Sequence, residues 1–408
     1  MAEPALAAPA SRDFWRDLSP THATNGLVAF LFAATGPVAV ILATGTKGGL
    51  NEADLASWIF GSFGFSGVIS VGYCLGYRQP LVYFWSIPGA VLVGSALGHL
   101  TFAQVIGAYI LTGLLMIALG VTGWVQRAMR AVPMPIVMAM VAGVFLSFGL
   151  DWVRAFRADV GLTGAMTIAY LAVSALPRVA ARLPPLVVAM AVGAAVIAQF
   201  GTFAPALDQT GLLAAPVLHA PEFSWVATAE LVVPLAITVL VVQNGQGFAI
   251  LTAAGHDPPI NSIAIACGVG SIAGALVGAV STCLTGPVSA IISANDDRPA
   301  QYTAGVVVGA LAIVFGLLSP LFTRLLLATP PVFIATLAGL AMLRVLQGAF
   351  TIAFQGRFAL GALVTFLVTV ADIAVFNIGA AFWGLVAGMG VSLMLERADW
   401  RAEAGAAG

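Results

Sequence analysis

Apolar residues run through this chain in long unbroken stretches, separated by short charged or Gly/Pro-rich pieces, and they do not alternate with polar residues as on an amphipathic surface helix or strand. Crossing about 30 Å of hydrocarbon takes roughly 20 such residues in a helix. Runs of about this length fall at residues 26–46, 55–76, 103–125, 134–150, 162–180, 184–200, 224–250, 260–280, 301–326, 331–350, 358–376 and 378–395. Two further segments, 80–98 and 281–295, are apolar but interrupted. The pattern predicts an all-α membrane protein of 14 transmembrane segments.

Composition agrees with a bilayer: 60% of the 408 residues are hydrophobic, 8% are charged, and mean hydropathy is +1.02. The net charge of −1 leaves no basic arm for nucleic acid, so the expected partners are the lipid bilayer and a small solute. Cys74, Cys267 and Cys283 are scattered without C-x-x-C spacing, so neither a disulfide set, a metal site nor a cofactor is expected. Residues 1–25 lack an apolar stretch of signal-peptide type and read as a tail, as do 397–408. Most Lys and Arg residues fall on one side if both termini are cytoplasmic; Lys47, Arg154, Arg157 and Arg324 fall on the other.

Residues 113–143 align without a gap on 309–339, with Gly113/Gly309, Gly120/Gly316, Pro135/Pro331 and Gly143/Gly339 identical. Fourteen segments divide into two sets of seven, and seven is odd, so the second set enters the membrane from the opposite side. The expectation is a 7+7 inverted repeat, residues 26–201 and 224–396, joined by an outer loop at 202–223. Inverted repeats of this kind are an architecture of secondary transporters.

The interrupted segments explain themselves within that repeat. "LVYFWSIPGA" in segment 3 and "STCLTGPVSA" in segment 10 each carry a hydroxyl residue just before a proline, Ser86 before Pro88 and Thr285 before Pro287. Ser or Thr at the cap and Pro in the first turn start a helix. Each segment therefore reads as a short extended stretch followed by a half-helix. Extended backbone in hydrocarbon leaves unmade hydrogen bonds, so the two stretches should pair or line a polar cavity. The opposed helix ends, with N–H groups near Ile87, Gly89, Gly286 and Val288 and the hydroxyls of Ser86 and Thr285, would hold an anion without an arginine. The alternative is that both prolines merely kink ordinary spans.

Gln243, Asn244 and Gln246 form a second polar cluster, costly in lipid and suited to a carboxylate or to interhelical hydrogen bonds. Tyr83, Trp85 and Phe248 offer ring faces for an apolar body. Glu230 and Asp372 lie inside predicted spans, and Asp296 and Asp297 at the edge of segment 10; Glu230, Asp372 and Asp296 are the candidates for a coupling proton.

Over nearly the whole chain after residue 12, "YFWSIPGA", "QNGQG", "GHDPPIN" and "TCLTGPVSAI" together resemble the BenE family of benzoate:proton symporters, which is similar in fold to nucleobase and ascorbate transporters. The resemblance implies a core domain of segments 1–4 and 8–11, a gate domain of segments 5–7 and 12–14, and a pocket between segments 3 and 10 that involves Ser86, Ile87, Gln243, Asn244, Thr285 and Gly286. It also implies import of a small aromatic carboxylate with a proton across a bacterial inner membrane, and a possible homodimer. The nucleobase relatives carry glutamates where this chain has Leu284, Thr285, Val242 and Gln243, a change that suits an anionic substrate and leaves the proton carrier open. Other readings are a different small anion or a nucleobase, a channel, or an intramembrane enzyme prompted by "NDDRP" at 295–299. H-E-x-x-H and G-x-S-x-G are missing.

Overall fold

Two three-residue strands, β1 (Tyr83–Trp85) and β2 (Thr282–Leu284), pair antiparallel in the middle of the molecule, with Phe84 opposite Cys283. In this computed structural model, residues 11–180, 183–200, 211–294, 297–373, 375–376 and 378–406 are described. The strand pair is extended by two more backbone bonds, Ser86 N–H to the Ser281 carbonyl at 2.9 Å and Thr285 N–H to the Val82 carbonyl at 3.0 Å. Each strand thus meets the other's unmade hydrogen bonds, which lipid cannot do.

The outer edges of the strands are satisfied by two serines. Ser70 accepts from Tyr83 N–H at 2.8 Å and donates to the Ser66 carbonyl at 2.7 Å; Ser271 accepts from Thr282 N–H at 3.0 Å and donates to the Cys267 carbonyl at 2.6 Å. Ser70 lies on α2 (Glu52–Tyr77) and Ser271 on α9 (Ile260–Ala275). Past the strands the chain enters the half-helices, α3 (Ile87–Ala96) and α10 (Gly286–Ile292).

Around this centre stand α1 (Pro20–Lys47), α4 (Phe102–Thr122), α8 (Trp225–Ala253) and α11 (Arg298–Leu317). Contacts between the helices are made at glycines. A Cβ on Gly67 would lie 2.7 Å from the Gly309 carbonyl and one on Gly309 2.9 Å from the Gly67 carbonyl, so α2 and α11 touch backbone to backbone. Gly113 of α4 and Gly268 of α9 do the same at 2.8 and 2.6 Å. Small residues at such crossings give the dispersion contact that drives helix association in lipid.

A separate apolar cluster joins α5 (Met134–Ala158), α6 (Val160–Ser174), α7 (Pro185–Phe200), α12 (Pro331–Phe354), α13 (Ala359–Ala371) and α14 (Ala380–Leu395), and reaches the central helices through Ala39, Val40 and Val91. A final helix, α15 (Arg397–Ala406), follows; the Glu396 carboxylate just before it accepts from Leu360 and Gly361 N–H and Asp399 from Phe358 N–H, capping α13.

Among the described residues, seven helices, α1, α2, α4, α5, α8, α11 and α12, are long and apolar enough to cross a membrane. Several limits differ from those read in the sequence. The run expected over 301–326 is broken: α11 stops at Leu317 and a short helix, Ser319–Leu327, restarts at Pro320 in its first turn. The run expected to 376 ends at Ala371, because Asp372 takes a left-handed conformation (φ 51°) that terminates α13. α8 contains two π-helical stretches, Thr228–Val232 and Thr238–Asn244, that hydropathy cannot signal.

Near the end of α8, the His256 imidazole meets Gln301 Oε1 at 2.7 Å while Gln301 Nε2 donates to the Ser293 carbonyl at 3.2 Å, tying α8, α10 and α11 together. Burial pushes the His256 pKa down; Gln301 opposes this, and the Arg298 charge adds to the lowering.

Replacing Ser70 or Ser271 by alanine should strand a buried N–H and cost about 1–3 kcal/mol, read as a lower thermal melting point. Ser66→Ala is the control, because the Ser66 hydroxyl has no partner among the described residues and its loss should leave melting unchanged. The lowered His256 pKa means that the fold favours neutral imidazole. Its contribution is present above the ordinary histidine value and is lost as pH falls through the lowered folded value. Melting points should therefore decline on acidification in wild type, and less steeply in His256→Gln.

Candidate functional site

The amino end of α3 is built by Ser86, whose backbone is extended (φ −74°, ψ 107°) and whose hydroxyl accepts from Gly89 N–H at 3.1 Å. The same hydroxyl donates to Thr238 Oγ1 at 3.1 Å, and Thr238 donates to the Leu235 carbonyl at 2.8 Å. Leu235 lies between the two π-helical stretches of α8. A continuous hydrogen-bonded chain thus joins α3 to α8, and all its members are buried.

This arrangement corrects one expectation. Gly89 N–H is not open to a ligand, because Ser86 caps its own helix with it; Ile87 keeps a first-turn N–H without an intrahelical acceptor. α10 begins differently. Thr285 makes no side-chain cap, so Gly286 and Val288 present first-turn N–H groups while Pro287 has none. The exposed Gln246 side chain lies over Gly286, where an added Cβ would sit 2.6 Å from Gln246 Cγ. Gln243, three positions before Gln246 on α8, is buried.

Asn244 is placed elsewhere. Its Oδ1 accepts from Leu284 N–H at 2.8 Å and its amide reaches Cys267 at 3.5 Å, so it holds β2 against α8 and α9 and is not aimed at a ligand. The expected ring platform is also taken up by packing. Tyr83 is buried edge-on against Tyr73 at 5.1 Å, Trp85 lies 4.7 Å from Phe63, and Phe248 sits in the cluster around Leu251 and Ile263.

Two of the acidic candidates share a cavity of about 250 Å³ between the central helices and the second cluster. Glu230 and Asp372 line it with Lys47, Leu92, Ser95, Gly143, Ser147, Arg154 and Gly379. Glu230 is buried, 5% exposed, and its Oε2 lies 2.8 Å from His99 Nε2; Asp372 is exposed at the end of α13. Asp296 lies outside the described residues. Asp297 is 63% exposed and 3.9 Å from His22. Ser86, Thr285 and Gln243 do not line this cavity.

Sequence reasoning missed Thr238 and His99. Thr238 is one hydroxyl in a long apolar run, and its role depends on a residue far away in the chain. His99 falls between runs, where a polar residue carries no signal.

The BenE family model, described as benzoate membrane transport protein, matches residues 16–394. The chain is 30% identical to "Inner membrane protein YdcO" of Escherichia coli strain K12, covering 91% of this chain and 95% of that one. It is 26% identical to "Benzoate membrane transport protein" of Acinetobacter baylyi, covering 92% and 95%. Among solved structures, the transmembrane domain of the cyanobacterial bicarbonate transporter BicA matches with a TM-score of 0.62 at 15% identity, over 92% of this chain and 98% of that one. SLC26A9 matches with a TM-score of 0.65 at 14% identity, over 91% and 64%. These likenesses show the fold, and they put BicA and SLC26A9 where the sequence resemblance pointed to nucleobase and ascorbate transporters. The chain belongs to the BenE family and is a membrane transport protein, not an enzyme.

Proposed function

We propose that this protein imports benzoate, or a similar aromatic monocarboxylate, together with a proton across a bacterial inner membrane, with both termini cytoplasmic. The single observation that carries the reading is the strand pair β1–β2 with α3 and α10 leaving it from opposite ends, in a chain of this family. Each helix start is equivalent to roughly half a positive charge, and both lie at the centre of the fold. A carboxylate between them would accept from Ile87, Gly286 and Val288 N–H, with the Thr285 hydroxyl and the Gln243 and Gln246 amides at its rim.

The fourteen-segment, 7+7 inverted repeat is part of this proposal. Reciprocal contacts support it. Gly113 and Gly309 are 196 positions apart, Gly67 and Gly268 are 201 apart, and the Gly67–Gly309 contact recurs as Gly268–Gly113. Ser70 and Ser271, also 201 apart, bind strands in the same way. The two apolar clusters support a core of α1–α4 and α8–α11 moving against a gate of α5–α7 and α12–α14. Carrying a proton with the anion cancels its charge, removing a penalty of about 2.3 kcal/mol per 100 mV against an interior-negative potential.

A second reading is a different small anion on the same scaffold, favoured by the likeness to BicA and SLC26A9. Reconstituted vesicles should show benzoate counterflow and accumulation under an inward pH gradient; absence of counterflow sinks the benzoate assignment, and competition by bicarbonate would favour the second reading. Gly286→Val should weaken benzoate binding at least about tenfold, or about 1.4 kcal/mol, by filling the space below Gln246. Gly348→Ala, which meets nothing within 4 Å, should leave binding unchanged.

A further inference from the structure

Glu230 is a carboxylate that a membrane protein has reason to avoid: 5% exposed, early in α8, on a π-helical turn. Three features meet on it. His99, just beyond α3, places Nε2 at 2.8 Å from Oε2. The cavity of about 250 Å³ opens beside it, on the outer side in the orientation proposed above. Finally, Gly379, the N-cap of α14, is so close that an added Cβ would lie 2.5 Å from Glu230 Oε1. α14 has no side-chain cap of its own, so its partial positive end lies close to this carboxylate of α8.

We propose that the His99–Glu230 pair is where the co-transported proton is taken up, and that its protonation loosens the contact between α8 and α14. The inference rests on the proton coupling proposed above. With one proton between them the imidazole and carboxyl are neutral as a pair. A second proton, delivered from cavity water, gives the pair one positive charge, which offsets the carboxylate at the half-helix site as the core moves. Protonated Glu230 is also a weaker partner for the amino end of α14, so uptake and release of the gate are linked.

The charged groups around the pair leave this assignment intact. α5 contributes Arg154, held by Asp151 at 2.9 Å; α1 contributes Lys47 and α13 Asp372, both exposed at the cavity. α4, which packs on the same π-helical turn, carries only Tyr109, and α14 carries no titratable side chain. Glu222 is engaged by Thr101 and Gln104.

The test uses the full chain in vesicles and in detergent. Glu230→Gln and His99→Gln should keep benzoate counterflow at equal pH yet lose accumulation driven by a pH gradient. In infrared difference spectra of the benzoate-free protein between neutral and acid pH, a protonated-carboxyl band should be present in wild type and lost in Glu230→Gln. His99→Gln should shift that band, which keeps the pair testable where Glu230→Gln does not fold. Unchanged pH-driven accumulation in either folded variant overturns the proposal, and so does an unchanged infrared band in Glu230→Gln. Wild-type protein without counterflow defeats the benzoate reading instead, and the infrared arm still decides the proton site.

Discussion

Backbone that leaves the helix inside hydrocarbon must find its hydrogen bonds within the protein, and this one constraint organises the molecule. β1 and β2 meet it by pairing with each other, by the flanking Ser86–Ser281 and Thr285–Val82 bonds, and by the Ser70 and Ser271 hydroxyls at the edges. Because the strands pair antiparallel, the half-helices that follow leave in opposite directions with their starts at the middle. The convergence of the two helix starts is therefore a consequence of how the broken segments are satisfied. The close glycine crossings of α2 with α11 and of α4 with α9 then hold the serine-bearing helices against the strands.

Much of this was legible in the residues, because the chemistry that starts a helix is local. Ser86 before Pro88 announces a cap and a first turn, and the structure places α3 there. Thr285 before Pro287 announces the same start, yet its hydroxyl makes no cap bond; residue type fixes where a helix starts but not which way a hydroxyl turns. Asn244 shows a similar gap. A buried amide in lipid needs partners, and sequence alone does not say whether they are a ligand or, as here, the backbone of β2.

The features that stayed hidden depend on contacts distant in the chain. The Ser86–Thr238 bond and the His99–Glu230 pair join residues with no shared local pattern. Likewise, motif resemblance identified the family, while the fold kinship came out as BicA and SLC26A9, because helix arrangement persists at identities where motifs do not. Charge is divided in the same way. Glu230 and the cavity lie apart from the uncharged half-helix starts; under the proposed coupling, proton and anion are held at separate places and form a neutral load only in sum.

The most direct test of that picture is a structure of the protein with a brominated benzoate, located by its anomalous signal. The account predicts the carboxylate within hydrogen-bonding distance of Ile87 N–H on α3 and Gly286 or Val288 N–H on α10. A bromobenzoate seated instead against Lys47 and Arg154 in the cavity, with the half-helix ends empty, would contradict it.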